Sequence, residues 1–105
     1  MTTDQSVGSI DNMSANLMYR HRMDFEDGAI LEVVVWRLPR PVDGCKHPFK
    51  YRLYYGQGGR RIIGFDNERP KGDHCHCEGV ETSYVFEGPE KLIADFFREV
   101  EKRRT

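Results

Sequence analysis

Eight side chains that can move protons, hold phosphate or ligate a metal fall close together in the middle of the chain: Asp66, Asn67, Glu68, Arg69, Lys71, Asp73, His74 and His76. A loop that only connects two elements draws mainly on Gly, Ser and Pro. His74 and His76 are two apart, so an extended backbone presents both imidazoles on one side. Near neutral pH one imidazole can accept a proton while the other donates one, the pairing that RNA transesterification needs. In this reading His74 and His76 are acid and base, and Asp66 or Asp73 orients a histidine. Arg69 and Lys71, helped by Arg52 from a neighbouring strand, neutralise the phosphate as charge develops on it. Asn67, Glu68 and Asp73 support them.

The same residues admit two other uses. His74 and His76 could ligate zinc, with Cys45, His47, Cys75, Cys77 or Asp66 completing a tetrahedron. Against this, the chain has no Cys-x-x-Cys pair, and the alternating His and Cys of residues 74–77 face opposite sides of a strand. The expectation is therefore no metal and no other cofactor. The bland use is structural: Asp66 and Asn67 cap a turn, Glu68 and Arg69 pair with neighbours, and the histidines sit at the surface.

The elements that position these residues follow from periodicity. Leu17, Tyr19, His21, Met23 and Phe25 alternate with Met18, Arg20, Arg22 and Asp24, the pattern of a half-buried strand. Asp27-Gly28 supplies a two-residue turn, and residues 29–38, rich in β-branched side chains, form a central strand. That turn sets Phe25 against Ile30, His21 against Val34 and Tyr19 against Trp36. A Pro-rich connection over residues 39–48 carries Cys45 and His47. A second hairpin joins residues 49–55 to 60–66 around Gly56-Gln57-Gly58-Gly59. Its expected register groups Tyr51, Leu53 and Tyr55 with Ile62 and Gly64, and Lys50, Arg52, Tyr54 and Arg61 with Ile63 and Phe65. The charged loop follows, then a short strand over 82–87. Gly88-Pro89-Glu90 starts a helix with an apolar stripe of Leu92, Ile93, Phe96, Phe97 and Val100 and a basic end of Lys102, Arg103 and Arg104.

The fold class is thus α+β: an antiparallel sheet of about five strands with the C-terminal helix packed on one face. At 105 residues there is room for one domain, expected over residues 17–105, preceded by a small, polar, flexible tail over residues 1–16. A net charge of −1 excludes a chain basic throughout, so any nucleic-acid footprint must come from local clustering. The face opposite the helix offers one in Arg20, Arg22, Lys50, Arg52 and Arg61, arranged to follow a phosphate backbone. Trp36 is expected in the core. Three cysteines give no disulfide framework, and no signal or membrane-spanning run is present, which points to a reduced cytoplasmic setting.

Three stretches resemble a known family: Tyr51-Arg52-Leu53-Tyr54-Tyr55-Gly56, Gly64-Phe65-Asp66-Asn67-Glu68-Arg69 and Lys71-Gly72-Asp73-His74-Cys75-His76. Together with Tyr84, Phe86 and residues 90–96 they are similar to the TumE toxins of toxin–antitoxin pairs, over essentially residues 17–103. Pro70 and Cys75 depart from the family pattern. The resemblance implies a growth-inhibiting toxin acting on RNA or translation, paired with a small helix-turn-helix antitoxin. A homodimer is also compatible with it. The positions carried over are Asp66, Asn67, Glu68, Arg69, Lys71, Asp73, His74 and His76. A non-enzymatic module that binds protein or nucleic acid is the competing interpretation.

Overall fold

Among the described residues, six strands hydrogen-bond in chain order into one antiparallel meander: β1 (Asn16–Asp24), β2 (Ala29–Arg37), β3 (Phe49–Gln57), β4 (Arg60–Asp66), β5 (His74–Cys77) and β6 (Val80–Ser83). The one helix among the described residues, α1 (Pro89–Arg104), packs against β3 and β4. This computed structural model describes residues 15–41, 45–68 and 71–104. The expected α+β class is the one observed. The strand beyond the expected five is β5, a histidine-bearing stretch anticipated as loop that pairs with both β4 and β6.

The core lies between the helix and one sheet face. Ala29, Leu31, Val33 and Val35 of β2, Tyr51, Leu53 and Tyr55 of β3, and Ile63 and Phe65 of β4 pack with Leu92, Phe96 and Val100 of α1. Each large apolar side chain buried this way contributes about 1.5–3 kcal/mol. The helix start at Pro89 and the apolar stripe agree with the sequence pattern. At the other end, the Arg104 guanidinium stacks 3.7 Å above the Phe25 ring and bonds the Tyr55 hydroxyl at 2.8 Å. That contact ties the helix terminus to the first hairpin.

Both hairpin registers differ from expectation, each by one residue. The first turn contains Glu26, Asp27 and Gly28: Phe25 N–H bonds Ala29 O at 2.9 Å, and Gly28 N–H bonds Phe25 O at 3.0 Å. Gly28 has φ +91°, a conformation that glycine adopts without strain, as three-residue loops require. His21 therefore pairs with Val33, Asp24 with Ile30 and Leu17 with Trp36, after a bulge between Leu17 and Tyr19. In the second hairpin an irregularity between Tyr55 and Gly56 moves Leu53 opposite Phe65 and Tyr55 opposite Ile63. Tyr51, Leu53 and Tyr55 thus share the core face with Ile63 and Phe65. A slip of one residue exchanges the faces of a strand, so the three-residue turn and the Tyr55–Gly56 bulge decide what each face carries.

Two burial expectations are also corrected. Among the described residues β1 is an edge strand, and Leu17, Met18, Tyr19 and Met23 remain substantially exposed. Trp36 is only partly buried, on the face away from the helix beside Lys50. Of the expected tail, residues 1–14 lie outside the described residues, and Asn16 already belongs to β1.

Candidate functional site

The uncovered sheet face carries two cross-strand rows of chemistry. In one, Arg20, Val34, Arg52, Asp66, His74 and Ser83 are successive partners across β1 to β6. In the next, Arg22, Glu32, Tyr54, Gly64, His76 and Glu81 are. The expected basic positions and both histidines therefore share one surface, with Arg52 about 10 Å from His74, two strand spacings away. Cys75 and Cys77 pack against the core on the helix side, as alternation requires.

His74 is buried, at 6% exposure, and both ring nitrogens have acceptors. Nδ1 lies 2.8 Å from the Gly72 carbonyl oxygen, and Nε2 lies 2.7 Å from Asp66 Oδ1 and 3.8 Å from Glu81 Oε2. A carbonyl only accepts, so Nδ1 carries a hydrogen. The ring protonated at both nitrogens serves Gly72 and Asp66 together. Of the two aspartates, Asp66 is the one hydrogen-bonded to His74. The His76 ring stands 5.4 Å from the His74 ring, with Nε2 3.9 Å from Glu81 Oε1. Burial, with the positive charge of Arg61 next in size, holds the His76 imidazole below its usual pKa, so its neutral form dominates near neutral pH.

Gly64 lies opposite His76. A Cβ there would sit 2.8 Å from Arg61 Cδ, so glycine lets the Arg61 side chain cross to the histidine. Lys71 Nζ contacts both oxygens of Glu81, at 2.9 and 3.1 Å, and that bond is the main reason the Glu81 carboxyl is held below its ordinary range. Lys71, Asp73, His74, Glu81, Thr82 and Ser83 line an open depression of about 340 Å³. A second depression of about 270 Å³ lies on the same face, with Trp36, Val34, Lys50 and Arg52 among its walls. Arg52 rests over the Tyr54 ring at 5.4 Å, and Lys50 meets Glu68 at 3.3 Å.

Three of the anticipated residues do other things. Asp73 turns away from the pair and accepts from His47 Nε2, at 2.9 and 3.1 Å, and from the Tyr51 hydroxyl, at 2.6 Å. Asn67 is fully buried. Its Oδ1 accepts from Tyr51 N–H at 3.1 Å and its Nδ2 donates to Phe49 O at 2.6 Å, replacing a strand partner for β3 beyond the end of β4. Glu68 is a surface partner of Lys50. Arg69 lies outside the described residues.

Sequence reasoning missed Glu81, which sits in β6 directly opposite His76. Its signal was Glu78-Gly79, both with positive φ, a two-residue hairpin turn that sets Cys77 against Val80 and so His76 against Glu81. His47 was noticed only as a candidate zinc ligand. Its pairing with Asp73, 26 residues away, carries no local signal.

No helix among the described residues is long and apolar enough to cross a membrane. Comparison with known proteins found no match among curated proteins or solved structures. The family model described as Toxin TumE matches residues 2–104, nearly the whole chain.

Proposed function

The chain belongs to the TumE toxin family, and from that premise we propose that it inhibits growth by cutting RNA on the uncovered face of its sheet, as a small endoribonuclease that needs no metal. The observation that carries the proposal is the pair of imidazoles, 5.4 Å apart, set into a face that also presents Arg20, Arg22, Arg52 and Arg61. His76, kept neutral by burial and Arg61, takes the proton of the ribose 2′-hydroxyl. The alkoxide attacks the adjacent phosphorus and the 5′-oxygen leaves. His74, protonated and flanked by Asp66, returns a proton to that oxygen through Nε2. A 2′,3′-cyclic phosphate and a free 5′-hydroxyl result. Lys71 and Arg61 neutralise the phosphate, with Arg52 farther along the strand path and Arg69 carried over from the family motif. The Trp36 depression gives a neighbouring base an apolar surface beside Lys50 and Arg52.

A toxin family implies an antitoxin. We take its form to be a small helix-turn-helix protein that covers the same face or the exposed β1 edge. Incubating purified protein with RNA, beside a His74→Ala, His76→Ala double variant, tests the proposal: the parent yields cyclic-phosphate ends and the variant does not. Equal behaviour of the two proteins rules out the catalytic assignment. Binding without turnover by both supports the non-enzymatic module instead.

A further inference from the structure

We propose that Asp66, His74, His76 and Glu81 form a binding site for a divalent transition cation of the zinc type, and that filling it silences the toxin. The silencing rests on the ribonuclease reading above; the site does not.

Two imidazoles and two carboxylates are a donor set that suits zinc and its first-row neighbours. Ligand atoms on a tetrahedral zinc lie about 3.4 Å apart, from bond lengths of about 2.0–2.1 Å. Here His74 Nε2 is 2.7 Å from Asp66 Oδ1 and 3.8 Å from Glu81 Oε2, and His76 Nε2 is 3.9 Å from Glu81 Oε1. The donors of His74, His76 and Glu81 all lie within 4.8 Å of one another. Small side-chain rotations close that spread. His74 is also prepared in its tautomer. Its Nδ1–H is committed to the Gly72 carbonyl, so a cation that displaces the Nε2 proton now shared with Asp66 meets a lone pair already aimed at the carboxylates. An outer carbonyl holding the far nitrogen is the usual support of a metal-bound histidine. His74 and Glu81 line the depression that Lys71 also borders, so a cation can reach them from solvent. Lys71 must leave Glu81, and an exposed ion pair of this kind is weak.

The second cluster with metal-like composition, Cys45, His47 and Asp73, fails the same test. Phe49 N–H donates to His47 Nδ1 at 3.2 Å, so the hydrogen sits on Nε2, which points at Asp73. That ring has no lone pair to give. Burial and the Asp73 charge also push the Cys45 thiol up, away from the thiolate a metal takes.

A cation on His76 Nε2 occupies the atom that must accept the 2′-hydroxyl proton, and on His74 Nε2 it replaces the proton that must be returned. Metal and catalysis therefore compete. The full chain, stripped by chelator and dialysed, is titrated with Co²⁺ and read by absorption. The expected result is one equivalent bound with d–d bands and no thiolate charge-transfer band. Affinity falls at least about tenfold in His76→Ala and in Glu81→Gln, and is unchanged in Cys45→Ser. Zn²⁺ added to an RNA cleavage assay lowers the rate in step with occupancy, and chelator restores it.

Failure to bind Co²⁺ overturns the site. So does binding that survives both His76→Ala and Glu81→Gln, or a thiolate band that Cys45→Ser removes. Cleavage that requires added metal overturns the silencing and the metal-free nuclease reading, while the cobalt spectra decide the site separately. Cleavage indifferent to bound zinc overturns the silencing alone.

Discussion

Two histidine–carboxylate clusters lie on opposite sides of this sheet, fed by adjacent residues of one chain. Asp73 turns to the helix side and His74 to the uncovered side. On the helix side, His47 uses Nδ1 for Phe49 and Nε2 for Asp73, and its ring stacks on Phe86 with centroids 3.7 Å apart. Asp73 also accepts from Tyr51, whose hydroxyl burial, followed by this bond, pushes far above its usual pKa. The polar side-chain atoms of His47, Asp73 and Tyr51 are all engaged, and neither ring nitrogen of His47 is left to do chemistry. On the uncovered side, Glu81 stands 3.8–3.9 Å from two imidazoles, too far for good hydrogen bonds, and it lines a depression together with His74. The same residue types thus make a closed clasp in one place and a looser cluster in the other. What separates them is His76, whose Nε2 stands 3.9 Å from Glu81 rather than within a hydrogen bond.

The contrast is broken most directly at the two histidines. His76→Ala should lower RNA cleavage by about 10²–10⁴-fold while stability in urea changes by less than about 1 kcal/mol. The clasp side should behave in the opposite way. Asn67→Ala strands the buried Tyr51 N–H and Phe49 carbonyl and should cost about 2–4 kcal/mol in urea unfolding. His47→Ala removes the Phe86 stack and the Asp73 bond and should cost about 2–3 kcal/mol.

A smaller effect sharpens the comparison through pH. Burial, then Arg61, lowers the His76 pKa in the folded state, so between the ordinary and the lowered value the unfolded chain binds more protons. Stability is therefore complete above the ordinary imidazole value of about 6.5 and declines as pH falls towards the lowered one. Urea midpoints measured down to about pH 5 should show this slope in the parent and a flatter one in His76→Ala. Smallest of all, Lys50→Ala breaks an exposed pair with Glu68 and should change stability by less than about 1 kcal/mol.

Much of this arrangement is written in the chain's periodicity. The apolar stripe of α1 and the alternation in β2 and β3 are strong because burial imposes them, and they specify a sheet with one covered face. His74 and His76 were legible as a same-face pair because a strand has period two. Register was not legible. Turns and bulges at Gly28 and between Tyr55 and Gly56 set it, and either choice leaves plausible apolar faces. Trp36 was misplaced for the same reason. Asp73 could not be separated from Asp66 by sequence, because its partner His47 approaches only through tertiary packing.

The central claim is that the uncovered histidines act and the covered one only holds. Initial rates of RNA cleavage per folded molecule, compared between His76→Ala and His47→Ala proteins at one temperature where both are folded, test it most directly. The account predicts near-parental cleavage for His47→Ala and a loss of about 10²–10⁴-fold for His76→Ala. Equal rates for the two, or a loss confined to His47→Ala, contradict it.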